Sequence, residues 1–199
     1  MPALTWGMTS ADASAAQAGQ AAEQAGDSGT DPVYKIPESV LVVIYRDDGQ
    51  VLLLRRTVPA PEGLDFWQSV TGSKDFASES WLQTAAREVL EETGIDAHAE
   101  GCELRDWELE NTYTIYPAWQ HKYAPGVWIN RERVLGLRVP SYMAAVLNPR
   151  EHTAHAWHDW REAARRCYSP SNAEAVLLLP RFADSAAFAS LPSERSLHL

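Results

Sequence analysis

The sequence is short of cysteine and of long apolar runs, and each shortage excludes a class of protein. Its longest strongly apolar stretch, Val40–Tyr45, has six residues, whereas a membrane-spanning helix needs about 20. A membrane span is therefore excluded. The two cysteines, Cys102 and Cys167, are too few for a disulfide scaffold. We expect two free, buried thiols in a cytoplasmic protein, and a single disulfide between them is the alternative.

Basic residues are also scarce. The chain has 17 Lys and Arg against 27 Asp and Glu, which gives a formal net charge of −10. Binding to a nucleic acid polymer needs a basic surface that displaces counterions, so this class of partner is excluded. A small anionic substrate is still compatible with the charge, because a multivalent cation can bridge two anions.

Composition divides the chain into three parts. Residues 1–33 contain nine alanines and neither lysine nor arginine, which predicts a disordered N-terminal extension. A loose helix over 11–25 without an apolar stripe is the alternative. The start has no basic segment followed by an apolar one, so it is not a secretory signal. We expect one folded domain over 34–182 and a loose C-terminal tail over 183–199.

Apolar runs and turn residues predict a layered α/β domain. The runs 39–46 and 51–56 are separated by Asp47-Asp48-Gly49, which is typical of a hairpin turn. Residues 57–65 read as a loop. Further strands are predicted over 66–71, over 104–116 with a break at Glu110–Asn111, and over 134–139. Two helices are predicted over 160–167 and 172–179.

The most informative segment is a helix predicted between Ser78 and Gly94. Ser78 or Ser80 suits the N-cap, and Gly94 suits the C-terminal stop. Apolar residues recur at i, i+3, i+4 and i+7 and form one face of this helix: Leu82, Ala85, Ala86 and Val89.

Three carboxylates share another face of the same helix. Glu88, Glu91 and Glu92 are related by i+3 and i+4, so they lie within an arc of about 100°. Each like-charge pair costs about 0.2–0.5 kcal/mol, and the C-terminal end of a helix disfavours anions. Arg87 can offset the charge of Glu91 at i+4, but it cannot neutralise all three carboxylates. Two interpretations stay open for this helix by itself: a solvated acidic face, or a site for a hard divalent cation such as Mg²⁺ or Mn²⁺.

The segment from Gly72 to Ile95 resembles the Nudix box, G-x5-E-x7-R-E-U-x-E-E-x-G-U, in which U is apolar. Glu79 is followed by seven residues and then by Arg87-Glu88-Val89-Leu90-Glu91-Glu92-Thr93-Gly94-Ile95. Every position from Glu79 onward matches. One spacing departs from the pattern, because six residues instead of five separate Gly72 from Glu79. The chain is thereby identified as a member of the Nudix family, whose members hydrolyse nucleoside diphosphates linked to another group.

The resemblance implies a Nudix-type α/β/α sandwich with a mixed β-sheet. It also implies Mg²⁺ on the acidic helix, with Mn²⁺ as a substitute. By match to the motif, Glu88 and Glu92 are metal ligands, and Glu91 is either a ligand or the base that takes a proton from water.

Four further positions of the box are assigned structural roles by the same resemblance. Arg87 and Glu79 are expected to pair and to hold the helix and the preceding loop in register. Gly72 and Gly94 complete the structural set.

Short runs outside the box resemble the Nudix enzymes that remove pyrophosphate from dihydroneopterin triphosphate in the bacterial folate pathway. In chain order they are Tyr34-Lys35-x-Pro37, 66–73, 121–127, Glu151-His152 and Ser171-Asn172. This resemblance implies that the product is the monophosphate. Two alternatives stay open: removal of pyrophosphate from nucleoside triphosphates, and a non-catalytic Nudix module that binds a nucleotide. The retained glutamates disfavour the second.

The same resemblance implies a fourth metal ligand and several substrate contacts. Glu151 becomes a ligand from outside the helix, where a plain surface acid is the alternative. Lys35 and Arg55 are assigned contacts to the triphosphate. Thr71 and Ser169 are assigned hydrogen bonds to the substrate. Tyr113 and Tyr116 are expected to stack on or flank the flat pterin ring. Core packing is an equal explanation for the two tyrosines. The pair His152-x-x-His155 is interpreted as a chance spacing and not as a zinc site.

Overall fold

A computed structural model describes residues 34–57, 65–184 and 188. The folded unit that contains them begins at Tyr34. The predictions for the N-terminal extension, for most of the 57–65 loop and for the end of the C-terminal tail lie outside the described residues. No helix in the described ranges has the length and apolar content needed to cross a bilayer.

The described strands form one seven-stranded sheet. Their bounds are β1 Glu38–Tyr45, β2 Gln50–Arg56, β3 Trp67–Gln68, β4 Val70–Ser73, β5 Glu103–Thr114, β6 Ile129–Arg138 and β7 His152–Asp159. The order β3-β2-β1-β6-β5 forms the main path, with β4 paired to β1 and β7 paired to β2. Only β1 and β6 pair in parallel among these pairs, so the sheet is mixed, as predicted.

Helices cover both faces of the sheet. They are α1 Trp81–Thr93, α2 Trp160–Arg166 and α3 Pro170–Leu178. Alternate residues of β1 point to opposite faces: Val40 and Val42 pack with α1, whereas Leu41 and Val43 pack with α2 and α3. This arrangement confirms the α/β/α layers. Both cysteines are free, as predicted, but they are only partly buried.

Four strand predictions need correction. The strand predicted over 66–71 is split at Ser69, whose backbone N–H donates to the Asn172 side chain (2.8 Å) instead of to a neighbouring strand. In β5 the irregularity lies between Asp106 and Leu109, not at 110–111. There the Glu108 backbone has φ 58° and donates to the Asp106 carboxylate (2.8 Å), a local turn that inserts a bulge.

The other two corrections concern β6 and β7. The apolar pattern of β6 begins only at Val134, because the buried residues before it, Asn130 and Glu132, are polar. β7 was not predicted at all, since its sequence HTAHAWHD is poor in β-branched residues.

Candidate active site

The caps of α1 position its acidic end. Ser80 is the N-cap and forms a capping box with Gln83, and Gly94 ends the helix with φ 67°. The last carbonyl groups of a helix lack partners within it. Here a loop supplies them: the Val146 N–H donates to Thr93 O (2.7 Å), and the Asn148 N–H donates to Glu92 O (3.1 Å). The same loop leads to Glu151 and thereby brings it to the acidic end of α1.

Glu92, Glu151 and His152 form a buried cluster at this junction. One ligand atom from each of the three lies within 4.8 Å of the others. His152 Nε2 lies 3.0 Å from Glu92 Oε2, and Asn148 Nδ2 donates to Glu151 Oε1 (3.1 Å). Burial raises the pKa of Glu92, and the hydrogen bond with His152 opposes this rise.

Glu88 reaches across β4 at Gly72. A Cβ atom at Gly72 would lie 1.8 Å from Glu88 Cδ, so any side chain there would displace this carboxyl group. Burial raises the pKa of Glu88 to about 7, and repulsion from Glu92 and Glu91 acts in the same direction. Arg87 opposes the rise by donating to Glu88 Oε1 (2.7 Å). Glu88 is therefore a carboxyl group that a nearby cation would favour in its charged form.

Arg87 ties the helix to the preceding loop. Its Nε donates to Glu79 Oε1 (2.9 Å), and its Nη2 donates to Ser73 O (2.8 Å). Glu79 is buried and also accepts the Asp75 N–H (2.8 Å). Desolvation opposes ionisation of Glu79, but the hydrogen bonds from Arg87 and Asp75 prevail and lower its pKa. The residue added between Gly72 and Glu79 thus leaves the expected pair of Glu79 with Arg87 in contact.

The third carboxylate of the helix has a different environment. The Glu91 side chain is 52% exposed, and Arg87 Nη1 lies 3.5 Å from Glu91 Oε2. Glu88 lies against Gly72 of β4, Glu92 contacts His152 of β7, and Glu91 is exposed to solvent. The patch predicted from spacing therefore divides into three environments.

A cavity of about 540 Å³ opens beside these carboxylates. Eight of the residues predicted for the site line it: Lys35, Thr71, Gly72, Glu88, Tyr113, Tyr116, Glu151 and Ser169. Glu91, Glu92 and the structural residues Glu79, Arg87 and Gly94 are not among its lining residues. Glu92 lies behind the wall, in contact with His152.

Arg55 is a correction. Its Nη2 pairs with Asp65 Oδ1 (2.7 Å) on the surface, and the cavity is lined by Arg56 instead. Successive residues of a strand point to opposite faces, so only one of two adjacent arginines can face the site. The pairing of β2 with β7 also shifts register between Arg55 and Arg56, and the sequence contains no sign of this shift.

The hydroxyl groups predicted for substrate contacts already have protein partners. Thr71 Oγ1 accepts from Gln68 Nε2 (3.2 Å), and Ser169 is the N-cap of α3. The Tyr113 hydroxyl accepts from Asn130 Nδ2 (3.0 Å), and burial raises the pKa of Tyr113 to about 12. Tyr116 is half exposed and meets Trp119 edge to face.

Several lining or supporting residues were missed by the sequence analysis. They are Arg56, Asn111, Lys122, Glu132 and His152. His152 was dismissed together with His155. The three-residue spacing places these two histidines on opposite faces of β7, and His152 alone joins the cluster. Glu132 carried a usable signal, because it is an acid at a position whose strand neighbours i+2 and i+3 are apolar.

A protein-family model described as NUDIX domain matches residues 35–179. The chain belongs to the Nudix family. This match extends over most of the described residues, and the carboxylate-bearing helix lies inside it.

Curated relatives narrow the likeness within the family. The chain is 42% identical over 147 residues to the dihydroneopterin triphosphate diphosphatase of Escherichia coli K12, an alignment that covers 73% of this chain and 93% of the relative. It is 35% identical over 144 residues to the protein of the same name from Haemophilus influenzae, with 72% and 87% covered.

Solved structures agree with the fold. The structure of the E. coli dihydroneopterin triphosphate pyrophosphohydrolase has a TM-score of 0.65 and 41% identity, with 76% of this chain and 99% of that chain covered. A Nudix hydrolase structure from Listeria monocytogenes has a TM-score of 0.59 and 22% identity, with 72% and 92% covered, and so supports the fold alone.

The donor set at the helix end suits a divalent metal. Nudix hydrolases generally use one, and carboxylate oxygens are the ligands that hard divalent cations take. Glu92 and Glu151 converge within 4.8 Å, and the pKa of Glu88 is raised by desolvation and by neighbouring carboxylates. A cation there would relieve both the repulsion and the desolvation, so the residues present fit the group.

Proposed function

We propose that this protein converts dihydroneopterin triphosphate and water to dihydroneopterin monophosphate and pyrophosphate. The observation that carries the proposal is the 42% identity to a relative named for this substrate, over 93% of that relative. The cavity supports it, because the carboxylates Glu88 and Glu151 and several cationic side chains line one open space. The alternative substrate, a nucleoside triphosphate, would use the same carboxylates and differ in the ring.

We assign the metal as Mg²⁺, with Mn²⁺ able to replace it. Glu88, Glu92 and Glu151 would hold it, since carboxylate oxygens are hard donors. Glu88 and Glu151 line the cavity, and Glu92 lies behind its wall beside Glu151. When bound, the ion neutralises phosphate charge and lowers the pKa of a water molecule. His152 orients the Glu92 carboxylate through its 3.0 Å contact.

The protein's own groups bind and orient the triphosphate. Lys35, Arg56 and Lys122 line the cavity and offset substrate charge in a chain of net charge −10. Asn148 holds Glu151 against the acidic end of α1. Glu91 stays a candidate for the base, because its exposed carboxylate is free to accept a proton without losing a buried contact.

The ring end of the substrate would lie between aromatic side chains. Tyr113 and Tyr116 both line the cavity, and Tyr116 is half exposed. A flat pterin offers the face that such rings stack on. Thr71 keeps its hydroxyl hydrogen for a substrate oxygen, since the bond it accepts from Gln68 uses only a lone pair. Ser169 Oγ accepts the Asn172 N–H and lies 3.3 Å from Ser171 Oγ, so these two hydroxyl groups share the same edge of the cavity.

A side-by-side assay tests the proposal. The full chain is given dihydroneopterin triphosphate, GTP, dATP or ATP with Mg²⁺, and pyrophosphate release is measured over a range of concentrations. We expect the highest kcat/KM for the pterin, replacement of Mg²⁺ by Mn²⁺, and no turnover in EDTA. A higher kcat/KM for any of the nucleotides would overturn the substrate assignment and leave the reaction type standing.

The cytoplasmic location inferred from the two cysteines stays a prediction.

A further inference from the structure

One buried carboxylate of the cavity belongs to neither the metal cluster nor an ion pair of the described residues. Glu132 lies in the middle of β6, is 5% exposed and lines the cavity. Its hydrogen bond in the described part of the chain comes from Asn111 Nδ2 to Oε1 (3.2 Å). The arginines on either side of it, Arg131 and Arg133, point away and pair with Glu110 and Asp106.

This environment is costly for a carboxylate. Burial raises the pKa of Glu132, and only the bond from Asn111 opposes the rise. A buried charge without a cation is normally neutralised or replaced by an apolar residue. Its position at the wall of a cavity indicates that a ligand supplies the N–H donors that Glu132 lacks beyond Asn111.

The sheet register gives the position of Glu132 relative to the metal-binding end. Ser73 of β4, Ser39 of β1, Glu132 of β6 and Asn111 of β5 are successive cross-strand partners, so they form one row on one face. Glu132 is thus two strands from β4, or about 10 Å at about 4.8 Å per strand. Glu88 covers β4 at Gly72, which precedes Ser73 and points to the opposite face of the sheet, and both Glu88 and Glu132 line the cavity.

A cavity lined by both carboxylates suits a substrate with its phosphates beside Glu88 and a ring beside Glu132. Tyr113 stands next to Glu132 closely enough for the carboxylate charge to raise its pKa further. Asn111 provides an amide beside the carboxylate. Glu132, Asn111 and Tyr113 therefore bring an anion, an amide and an aromatic side chain together on β5 and β6, away from β4.

We infer that Glu132, held by Asn111, is the residue that selects the ring of the substrate. Its carboxylate would accept the ring N–H and the exocyclic amino group of a 2-amino-4-oxo heterocycle. Pterins and guanine both present this pair of donors, whereas adenine has no such pair. The assignment of the ring as a pterin rests on the proposed function. The recognition of a ring N–H and a neighbouring amino group by Glu132 does not.

The test compares Glu132→Gln with the unchanged chain on four substrates. Dihydroneopterin triphosphate and GTP carry both donors, and ITP carries the ring N–H alone. ATP has an amino group at C6 but neither a ring N–H nor a 2-amino group. A charge-assisted bidentate contact is worth about 10- to 100-fold in discrimination. We expect the ratio of kcat/KM for GTP over ATP to fall by about this factor in the variant. The preference for GTP over ITP should also disappear.

Two controls separate recognition from structure. Glu110→Gln changes an exposed acid on the adjacent strand and should leave every ratio unchanged. The melting temperature of Glu132→Gln should equal or exceed that of the unchanged chain, because an unpaired buried charge is removed. An equal loss on ATP and GTP, or an unchanged GTP-to-ATP ratio, would overturn the inference.

Failure of the proposed function has a different signature. If the unchanged chain does not hydrolyse dihydroneopterin triphosphate but Glu132→Gln still lowers the GTP-to-ATP ratio, the pterin assignment fails and the role of Glu132 stands. If the pterin is hydrolysed and the variant retains both its pterin activity and its GTP-to-ATP ratio, the proposed function stands and the role of Glu132 fails.

Discussion

At the scale of single residues, the absence of a side chain at Gly72 creates room for a carboxylate. The Glu88 carboxyl group occupies the space where a Cβ atom would stand. No positive φ is recorded at Gly72, so an alanine is acceptable to the backbone there. The glycine is needed for space, and the atom that would have to move is the end of a flexible side chain.

We therefore expect Gly72→Ala to fold normally and to lose activity. Displacement of Glu88 should lower Mg²⁺ affinity and kcat/KM by about 10- to 100-fold, the range seen when the support of a metal ligand is removed. Steady-state kinetics with a Mg²⁺ titration measures this effect. The double variant Gly72→Ala, Glu88→Gln should be no less active than Glu88→Gln alone, because both changes remove one interaction. Additive losses would contradict this account.

The three glutamates of the box lead to a second prediction at this scale. Glu91→Gln and Glu92→Gln should each lower turnover by about 100-fold or more, because a neutral amide is a poor metal ligand and no base. Glu100→Gln, an exposed acid in the turn after α1, is the matched control and should retain full turnover. Circular dichroism checks that all three variants fold. Unchanged Mg²⁺-dependent turnover in both box variants would refute the roles assigned to Glu91 and Glu92.

At the scale of elements, α1 is positioned by contacts at both ends. Arg87 holds the loop before it through Glu79 and Ser73. The loop after it satisfies carbonyl groups of its last turn and leads to Glu151. The metal-binding end is therefore assembled from one helix and the two loops that flank it.

Arg87→Lys should weaken this assembly, because one ammonium group cannot donate to Glu79, Glu88 and Ser73 with the geometry of a guanidinium. We expect the free energy of unfolding to fall by about 1–3 kcal/mol, the cost of leaving buried partners unsatisfied. Chemical denaturation measures the change. Arg165→Lys, which alters an exposed pair with Glu162 in α2, should have a much smaller effect, because solvent screens an exposed ion pair. Equal effects of the two substitutions would argue against the role of Arg87.

At the scale of the whole molecule, the acidic end of α1 links folding to pH and to metal. Burial raises the pKa of Glu88 to about 7 and also raises that of Glu92. Between the unfolded pKa near 4.5 and the folded value, the folded state binds more protons than the unfolded state. Stability without metal must therefore fall as pH rises through this window.

Mg²⁺ should reverse this trend, since it binds the deprotonated carboxylates. We expect the rise in melting temperature on adding Mg²⁺ to be larger at pH 8 than at pH 6. In EDTA, the melting temperature should decline from pH 5 to pH 8. Thermal unfolding of the full chain measures both effects. Glu88→Gln should flatten the pH dependence in EDTA, and an identical Mg²⁺ shift at both pH values would contradict the linkage.

The box helix and the layered sheet could be predicted because their signals are local. Ser80, Gly94 and the spacing of Glu88, Glu91 and Glu92 lie within one short segment, and the cap geometry agrees with the interpretation. Continuous apolar runs likewise identified β1 and β2 to within one residue. β7 and the first half of β6 escaped, because the one buried residue of β7 is His152 and those of the first half of β6 are Asn130 and Glu132, which are polar.

Local spacing along the chain was thus sufficient for the family, the helix and the carboxylates, since a helix repeats its geometry within one segment. Contacts between distant segments were decided by packing. Arg56 lines the cavity whereas Arg55 pairs with Asp65 on the surface, and the pairing of Glu92 with His152 joins residues 60 positions apart. The burial of Glu132 follows from its register between β1 and β5. Each of these depends on which strands become neighbours, and no short stretch of sequence encodes that.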